Sequence, residues 1–262
     1  MNASSASLAD TARADRAGAQ PSGSAVPSRR TVDAPTRVFH WLVALCFAGA
    51  YASAESESWR LLHVSLGYTL AGLLGFRIVW GFVGPKPVRF SAWWGKLQAL
   101  PGLLRQLRQG AWPATLAQNL AMTLAVVGVL VLVAGATASG WVTYEELAGD
   151  WTEELHEFFG NALLAVVLAH VALVLGLSVL RRRNLVAPMV TGRSPGRGPD
   201  LVRRNHAWLG VLILAAVLGF WAWQWQSAPA AGDGAGAGHG ADGRPVAAQR
   251  AERHHRHADH DD

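Results

Sequence analysis

The chain alternates between long apolar runs and shorter polar segments, and this pattern predicts its architecture. The apolar runs lie at about residues 38–54, 62–83, 116–142, 158–180 and 207–225. Each is close to the roughly 20 residues that an α-helix needs to cross a bilayer. We therefore predict an all-α integral membrane protein, with a four-helix transmembrane bundle followed by a fifth transmembrane helix.

The polar segments divide the chain into regions. Residues 1–30 are small and polar and contain no apolar stretch of the kind found in a signal peptide, so they are predicted to be a disordered cytoplasmic leader. Residues 31–192 then hold the four-helix domain, and residues 193–226 hold a basic loop and the fifth helix. Residues 227–262 are rich in Gly and Ala, then in His, and are predicted to be a disordered tail.

The distribution of Lys and Arg predicts the orientation. Basic residues are concentrated in the leader and in the loops at 84–115 and 181–206, whereas the acidic segment at 143–157 has none. The positive-inside rule places the N-terminus in the cytoplasm and, with five spans, the C-terminus in the periplasm. Because the positive charge lies in loops beside apolar spans, we expect membrane lipid rather than nucleic acid as the partner.

Four histidines lie within or beside the apolar runs: His40, His63, His156 and His170. His156 and His170 are 14 residues apart, which places them about 21 Å apart on one face of a helix. With the predicted orientation, His63 and His156 share an outer depth, and His40 and His170 share an inner one. Each pair brings two imidazoles together from different helices, as bis-histidine ligation of a haem requires. A single histidine could instead form a hydrogen bond between helices.

Two arginines are candidates for binding the cofactor. Arg77 follows His63 by the same 14-residue spacing, so it is predicted to lie at the depth of the inner pair. A charge at that depth needs a partner, and a haem propionate would provide charge-assisted hydrogen bonds. Arg37, one turn before His40, is the second candidate. Arg77 could alternatively extend to the inner surface of the membrane.

Other residues refine these expectations. Gly67 and Gly160 lie one turn after the outer histidines and would allow close approach of either a macrocycle or a neighbouring helix. His206, at the start of the fifth run, is expected to be an interfacial residue with no cofactor role. Cys46 is the single cysteine and the chain has no Cys-x-x-Cys-His motif, which excludes an intrachain disulfide and covalent c-type haem.

Several stretches together carry a family resemblance. They are Arg37-Val38-Phe39-His40-Trp41, Leu62-His63-Val64-Ser65-Leu66-Gly67, Gly75-Phe76-Arg77-Ile78-Val79-Trp80-Gly81-Phe82-Val83-Gly84, Leu155-His156-Glu157 with His170, and Met189-Val190-Thr191-Gly192-Arg193. Over about residues 31–192 the chain resembles the bacterial cytochrome b561 family, which includes the cytochrome b subunits of membrane nickel-iron hydrogenases. The resemblance implies a bundle that holds two non-covalent b-type haems, with His40, His63, His156 and His170 as axial iron ligands.

The resemblance also implies a function. Electrons would cross the bacterial inner membrane between a quinone pool and a periplasmic partner, either cytochrome c or an oxidoreductase subunit of hydrogenase type. The chain would then be an electron-transfer subunit of a quinone-linked oxidoreductase, or a quinol oxidase that acts alone. The acidic segment at 145–157 would steer a basic partner towards the outer site, unless it is an ordinary solvated loop.

One alternative belongs to a different class of function. A small membrane transporter or metal-handling protein could use the intramembrane His and Arg residues as a relay. The His-rich tail could then gather Ni²⁺, Cu²⁺ or Zn²⁺, although such tracts are also common as solvated low-complexity sequence. The tail histidines are His239, His254, His255, His257 and His260.

Overall fold

The computed structural model describes residues 27–227, which are mostly helical. The α-helices are α1 (Ala34–Ser53), α2 (Arg60–Val83), α3 (Phe90–Leu97), α4 (Leu100–Arg108), α5 (Ala114–Tyr144), α6 (Trp151–Leu180), α7 (Ala187–Thr191) and α8 (Ala207–Ser227). Single turns of 3-10 helix lie at Glu57–Trp59 and Lys86–Val88, and the strands are β1 (Ser28–Arg30) and β2 (Arg193–Pro195). The predicted His-rich tail and most of the predicted leader lie outside the described residues.

The long helices pack in sequence order, α1 against α2, α2 against α5 and α5 against α6. Between α1 and α2 the buried side chains include Leu42, Cys46, Leu66 and Leu70. Between α5 and α6 the approach is closer, because Gly135 of α5 faces the ring of a phenylalanine on α6 and has no space for a Cβ atom.

The outer surfaces of the long helices are apolar. Leu45, Val131, Leu168 and Val179 are each 58% exposed or more, and only 6% of the most apolar window of α6 is buried within the protein. Apolar surface this extensive is typical of helices that face lipid. Among the described residues, four helices are long and apolar enough to cross a membrane: Glu57–Val83, Ala114–Tyr144, Trp151–Leu180 and Ala207–Ser227.

These four helices occupy the predicted second to fifth spans. The first predicted span also forms a helix, α1, of 20 residues. Its first turn contains Pro35, whose fixed φ suits this position in a helix. Because α1 carries Arg37 and His40 in its first two turns, it is less apolar than the others, and its crossing of the membrane stays a prediction.

The prediction that the leader is disordered as far as residue 30 is wrong for its last residues. These form β1, which pairs antiparallel with β2 in the register Ser28↔Pro195, Arg29↔Ser194 and Arg30↔Arg193. Immediately after β1, the backbone N–H groups of Thr31 and Val32 both donate to the carbonyl of Gly192, at 2.9 and 3.2 Å. The local composition of residues 28–30 does not reveal this strand, because its partner lies more than 160 residues away in the sequence.

The described residues fall into two units, which divide after residue 217. In the first unit, the start of α8 lies against α1, where a Cβ atom on Gly210 would be 3.3 Å from Val38 and 3.5 Å from Ala34. In the second unit, the described residues 218–227 are helical, and the rings of Phe220 and Trp223 have centroids 6.1 Å apart.

Candidate functional site

The outer histidine pair lies between α2 and α6. His63 is in the first turn of α2 and His156 is in the second turn of α6. Their ring centroids are 6.0 Å apart and their planes are nearly perpendicular, at 83°. Metal–imidazole bonds are about 2 Å long, so two imidazoles on opposite sides of one metal have centroids about 6 Å apart. The separation of the two rings therefore fits a single iron between them.

Backbone carbonyls hold both outer imidazoles. The Nδ1 atom of His63 lies 2.8 Å from the carbonyl oxygen of Ala50 on α1, and Nδ1 of His156 lies 2.9 Å from that of Ala136 on α5. The hydroxyl of Ser139 is also 3.3 Å from Nδ1 of His156. A carbonyl can only accept, so Nδ1 carries the proton in each ring and Nε2 keeps its lone pair for a metal.

The position of His156 depends on a small residue that faces it. A Cβ atom on Gly140 of α5 would lie 2.7 Å from Cε1 and 2.9 Å from Nδ1 of His156. Contacts this short would displace the imidazole, so the absence of a side chain at Gly140 makes room for the ring. Gly140 and Ser139 are not predicted from the sequence, because α5 carries no histidine that would mark it as part of the site. Their only sequence signal is a run of small residues near the end of the third apolar run.

The inner histidines lie on α1 and α6. His40 and His170 are close enough to interact electrostatically, and the His40 ring meets the Trp41 ring edge-on with centroids 5.3 Å apart. Among the described residues, no protein group forms a hydrogen bond with Nδ1 of either histidine, although both atoms are buried. The structure therefore brings His63 and His156 into contact and leaves His40 and His170 within electrostatic range of each other, and it gives the two pairs different surroundings.

Open space beside the outer pair would accommodate a flat cofactor. Gly67 and Gly160, each one turn after an outer histidine, are partly buried. A Cβ atom at either position would meet no other atom within 4 Å, in contrast to the tightly packed Gly140. Neutral imidazole pairs are suitable axial ligands for haem iron. The residues present thus fit a b-type haem at this level, while iron ligation by all four histidines stays a prediction.

Arg77 is enclosed by protein rather than extended to the surface. It is 5% exposed, and Nη2 donates to the carbonyl of Val88 at 2.9 Å. The guanidinium group also lies over the rings of Trp93 and Phe90 on α3, 4.5 and 5.2 Å from their centroids. Such cation–π contacts stabilise a desolvated charge. Nη1 is buried and has no partner among the described residues, so the predicted propionate contact stays a prediction.

Arg37 connects α1 to the segment after α6. Its Nη1 donates to the carbonyl of Val190 at 2.7 Å, and Nε1 of Trp41, one turn later, donates to the carbonyl of Met189 at 3.0 Å. These bonds join α1, which carries His40, to α7, the short helix that follows α6. The predicted propionate contact of Arg37 is not tested by this arrangement.

A buried polar cluster lies at the same end of the protein. Asp33 is fully buried, and its Oδ2 accepts a hydrogen bond of 2.9 Å from Nε1 of Trp80 on α2. The ring of His206 contacts the Trp80 ring edge-on, with centroids 5.5 Å apart. The cluster joins the start of α1, the end of α2 and the start of α8.

The chain matches one known protein family. The family model for prokaryotic cytochrome b561 matches residues 31–192, which is more than half of the chain. The chain belongs to the prokaryotic cytochrome b561 family. This confirms the family that the sequence motifs indicated. No curated protein and no solved structure matches the chain.

Membership in the prokaryotic cytochrome b561 family establishes the broad function. The protein is a membrane b-type cytochrome that binds b-type haem and works in electron transfer. Its apolar helices and its family agree with a multi-pass protein of the inner membrane. The matched range ends at Gly192, so β2 and α8 lie outside it.

Proposed function

We propose that this protein is a dihaem cytochrome b that carries electrons across the inner membrane between a quinone pool and a periplasmic redox partner. The observation that carries the proposal is the contact between the rings of His156 on α6 and His63 on α2, with the second histidine of α6, His170, within electrostatic range of His40 on α1. His63 and His156 would hold the outer haem, and His40 and His170 the inner one. When bound, b-type haem supplies reversible one-electron chemistry at iron.

The chain's own residues give these sites the properties needed for electron transfer. Two imidazoles at each level would hold the haem, and a site in which two histidines bind the iron favours electron transfer over oxygen binding. Between the two levels, Leu163 of α6 is 2% exposed and Leu70 of α2 is 6% exposed. Such apolar side chains keep water from the space between the haems. Arg77 and Arg37 would balance propionate charge at the inner level.

The orientation follows from the distribution of basic residues. The N-terminus would lie in the cytoplasm and the C-terminus in the periplasm, which places His156 on the periplasmic side and His40 on the cytoplasmic side. Reporter enzymes fused after residue 110 or residue 148 test this. Alkaline phosphatase should be active only after residue 148, and activity only after residue 110 would reverse the assignment.

The acidic segment beside the outer pair is suited to a basic periplasmic partner. Its carboxylates are exposed, as are Trp151 and Leu147 next to them, at 61% and 60%. The exposed acidic residues are Glu145, Glu146, Asp150, Glu153, Glu154 and Glu157. Charge complementarity would speed the encounter with a basic cytochrome c, and salt would slow it. Electron exchange with such a cytochrome c should therefore fall steeply with ionic strength.

The haem content of the purified full-length protein tests the proposal. A reduced-minus-oxidised spectrum should show b-type bands, and a pyridine haemochrome assay should give two haems per chain. A short-chain quinol should reduce them. Oxygen consumption by the isolated protein would indicate a quinol oxidase that acts alone. A protein that contains one haem or none when fully loaded would contradict the dihaem proposal.

A further inference from the structure

The two histidine pairs differ in the hydrogen bonds formed by their Nδ1 atoms. At the outer level both Nδ1 atoms have a carbonyl acceptor, Ala50 for His63 and Ala136 for His156. At the inner level neither Nδ1 has an acceptor within the part of the chain that the structure describes, and both atoms are buried from solvent. This asymmetry lies in the backbone and packing, and the family assignment does not specify it.

Hydrogen bonding at Nδ1 changes the electronic character of a ligating imidazole. An acceptor at Nδ1–H increases the basicity of the ring, so that Nε2 donates more electron density to a metal. Greater donation stabilises ferric iron relative to ferrous iron and lowers the reduction potential of a haem. Two such acceptors lie at the outer level, and none of residues 27–227 provides one at the inner level.

We propose that the carbonyls of Ala50 and Ala136, with the hydroxyl of Ser139, make the outer haem the lower-potential haem of the two. The inference rests on the proposed dihaem function. One electron would then pass downhill from the haem that His63 and His156 would hold to the haem that His40 and His170 would hold. No bond forms or breaks in this step, and no proton is transferred.

The charges near the two levels act in the same direction. Exposed Glu153, Glu154 and Glu157 near the outer pair favour the more positive ferric state. At the inner end, Arg77 is 5% exposed, so its positive charge is less screened and disfavours ferric iron.

Opposing charges are present at both levels. Arg60 near the outer pair is exposed, and its guanidinium lies over the Tyr144 ring, 5.8 Å from the centroid. At the inner end, the carboxylate of Asp33 partly offsets Arg77, although Arg37 adds a second cation there. Because each level contains charges of both signs, the difference in hydrogen bonding is the stronger basis for the proposal.

Ser139 makes the proposal testable by substitution, since backbone carbonyls cannot be removed. Its hydroxyl is 2.8 Å from the carbonyl of Gly135 and donates to it, so its oxygen can accept from Nδ1–H of His156 at 3.3 Å. Ser139 is therefore a positioning residue that acts through His156. Thr137 on the same helix donates to the carbonyl of Val133 at 2.8 Å, and it provides a matched control.

The test is a spectroscopic redox titration of the full-length dihaem protein in lipid nanodiscs. Two one-electron waves are expected, and Ser139→Ala should move only the lower wave upward. At the wild-type midpoint of that wave, the ratio of reduced to oxidised haem should rise about threefold, the effect of losing one weak hydrogen bond. Ser139→Thr should restore the wild-type position, and Thr137→Val should leave both waves unchanged.

Variants that each lose one haem show which redox wave belongs to the outer haem and which to the inner haem. His156→Ala should remove the lower wave, and His170→Ala the upper one. Loss of the upper wave in His156→Ala would overturn the proposal, as would a shift of the upper wave, or of neither wave, in Ser139→Ala. These outcomes all require two haems in the wild-type protein, so they differ from a failure of the dihaem function itself, which the haem-to-protein ratio reveals first.

Discussion

Nδ1 of His156 on α6 lies 2.9 Å from the carbonyl oxygen of Ala136, one helix away on α5. Although α5 itself carries no histidine, it therefore orients a histidine of its neighbour. The close contact of α5 and α6 at small residues makes this bond possible, and the same contact makes the outer site sensitive to changes on α5.

The first prediction concerns Gly140, which faces the His156 ring. Gly140→Ala places a methyl group where the imidazole now lies, 2.7 Å from Cε1, so His156 must move. We expect loss of most of the outer haem and retention of the inner haem, measured as haem per chain and by redox titration. Gly128→Ala is the control, because its new methyl group would meet Val166 at an ordinary 3.6 Å. Equal haem loss in both variants would contradict this account.

The second prediction concerns the hydrogen bonds that join α1 to the segment after α6. Trp41→Phe removes the bond to Met189, and Arg37→Met removes the bond to Val190. Each should lower the melting temperature of the detergent-solubilised protein, since each lost bond costs about 1 kcal/mol. Each should also weaken retention of the inner haem.

Two further variants serve as controls for these bonds. Arg37→Lys keeps a donor and a positive charge and should recover part of the loss. Trp112→Phe changes a tryptophan that is 75% exposed and should have little effect. If Trp41→Phe released the outer haem instead of the inner one, the proposed role of this connection would be wrong.

The third prediction concerns the buried pair formed by Asp33 and Trp80. Asp33→Ala leaves the indole N–H of Trp80 buried without its acceptor, which costs about 1–3 kcal/mol. We expect a clear decrease in thermal stability. Asp33→Asn keeps an oxygen that can accept from Trp80, so it should be milder. The order of the two melting temperatures decides the question, and a less stable Asp33→Asn variant would show that the charge matters more than the hydrogen bond.

The fourth prediction concerns Gly192, at the turn that receives the start of the chain. Its φ is +77°, and a Cβ atom would lie 2.9 Å from the carbonyl oxygen of Val32. Gly110 has nearly the same φ, +78°, with no atom within 4 Å of its Cβ position. Gly110→Ala should therefore cost only about 1 kcal/mol of backbone strain, and Gly192→Ala should be distinctly more destabilising. Similar melting temperatures for the two variants would argue against a tight contact at Gly192.

Much of the fold follows from the sequence because apolar runs and helices obey simple geometry. The four longest apolar helices occur where the runs predict them. The start of α6 differs, since the prediction began at residue 158 and the helix begins at Trp151. Glu153 and Glu154 lie in the acidic segment before the predicted start of this span, yet acidic residues stabilise the first turn of a helix through its dipole.

The contact between His63 and His156 could be predicted because depth in a membrane depends only on helix rise and orientation. Their immediate partners could not. The acceptors at Ala50 and Ala136 are backbone carbonyls, which have no sequence signature. The partners of Arg37 and the pairing of β1 with β2 join residues more than 150 positions apart, and local sequence contains no information about such contacts.

The most direct test of the dihaem proposal is haem content in four single variants, each purified as the full-length protein. His63→Ala and His156→Ala should each leave one haem per chain, the inner one, with the same spectrum and midpoint potential. His40→Ala and His170→Ala should each leave the outer haem, which differs from the first in both properties. If instead His40→Ala and His63→Ala lost the same haem, or if the wild-type protein held fewer than two haems, the proposed pairing would be contradicted.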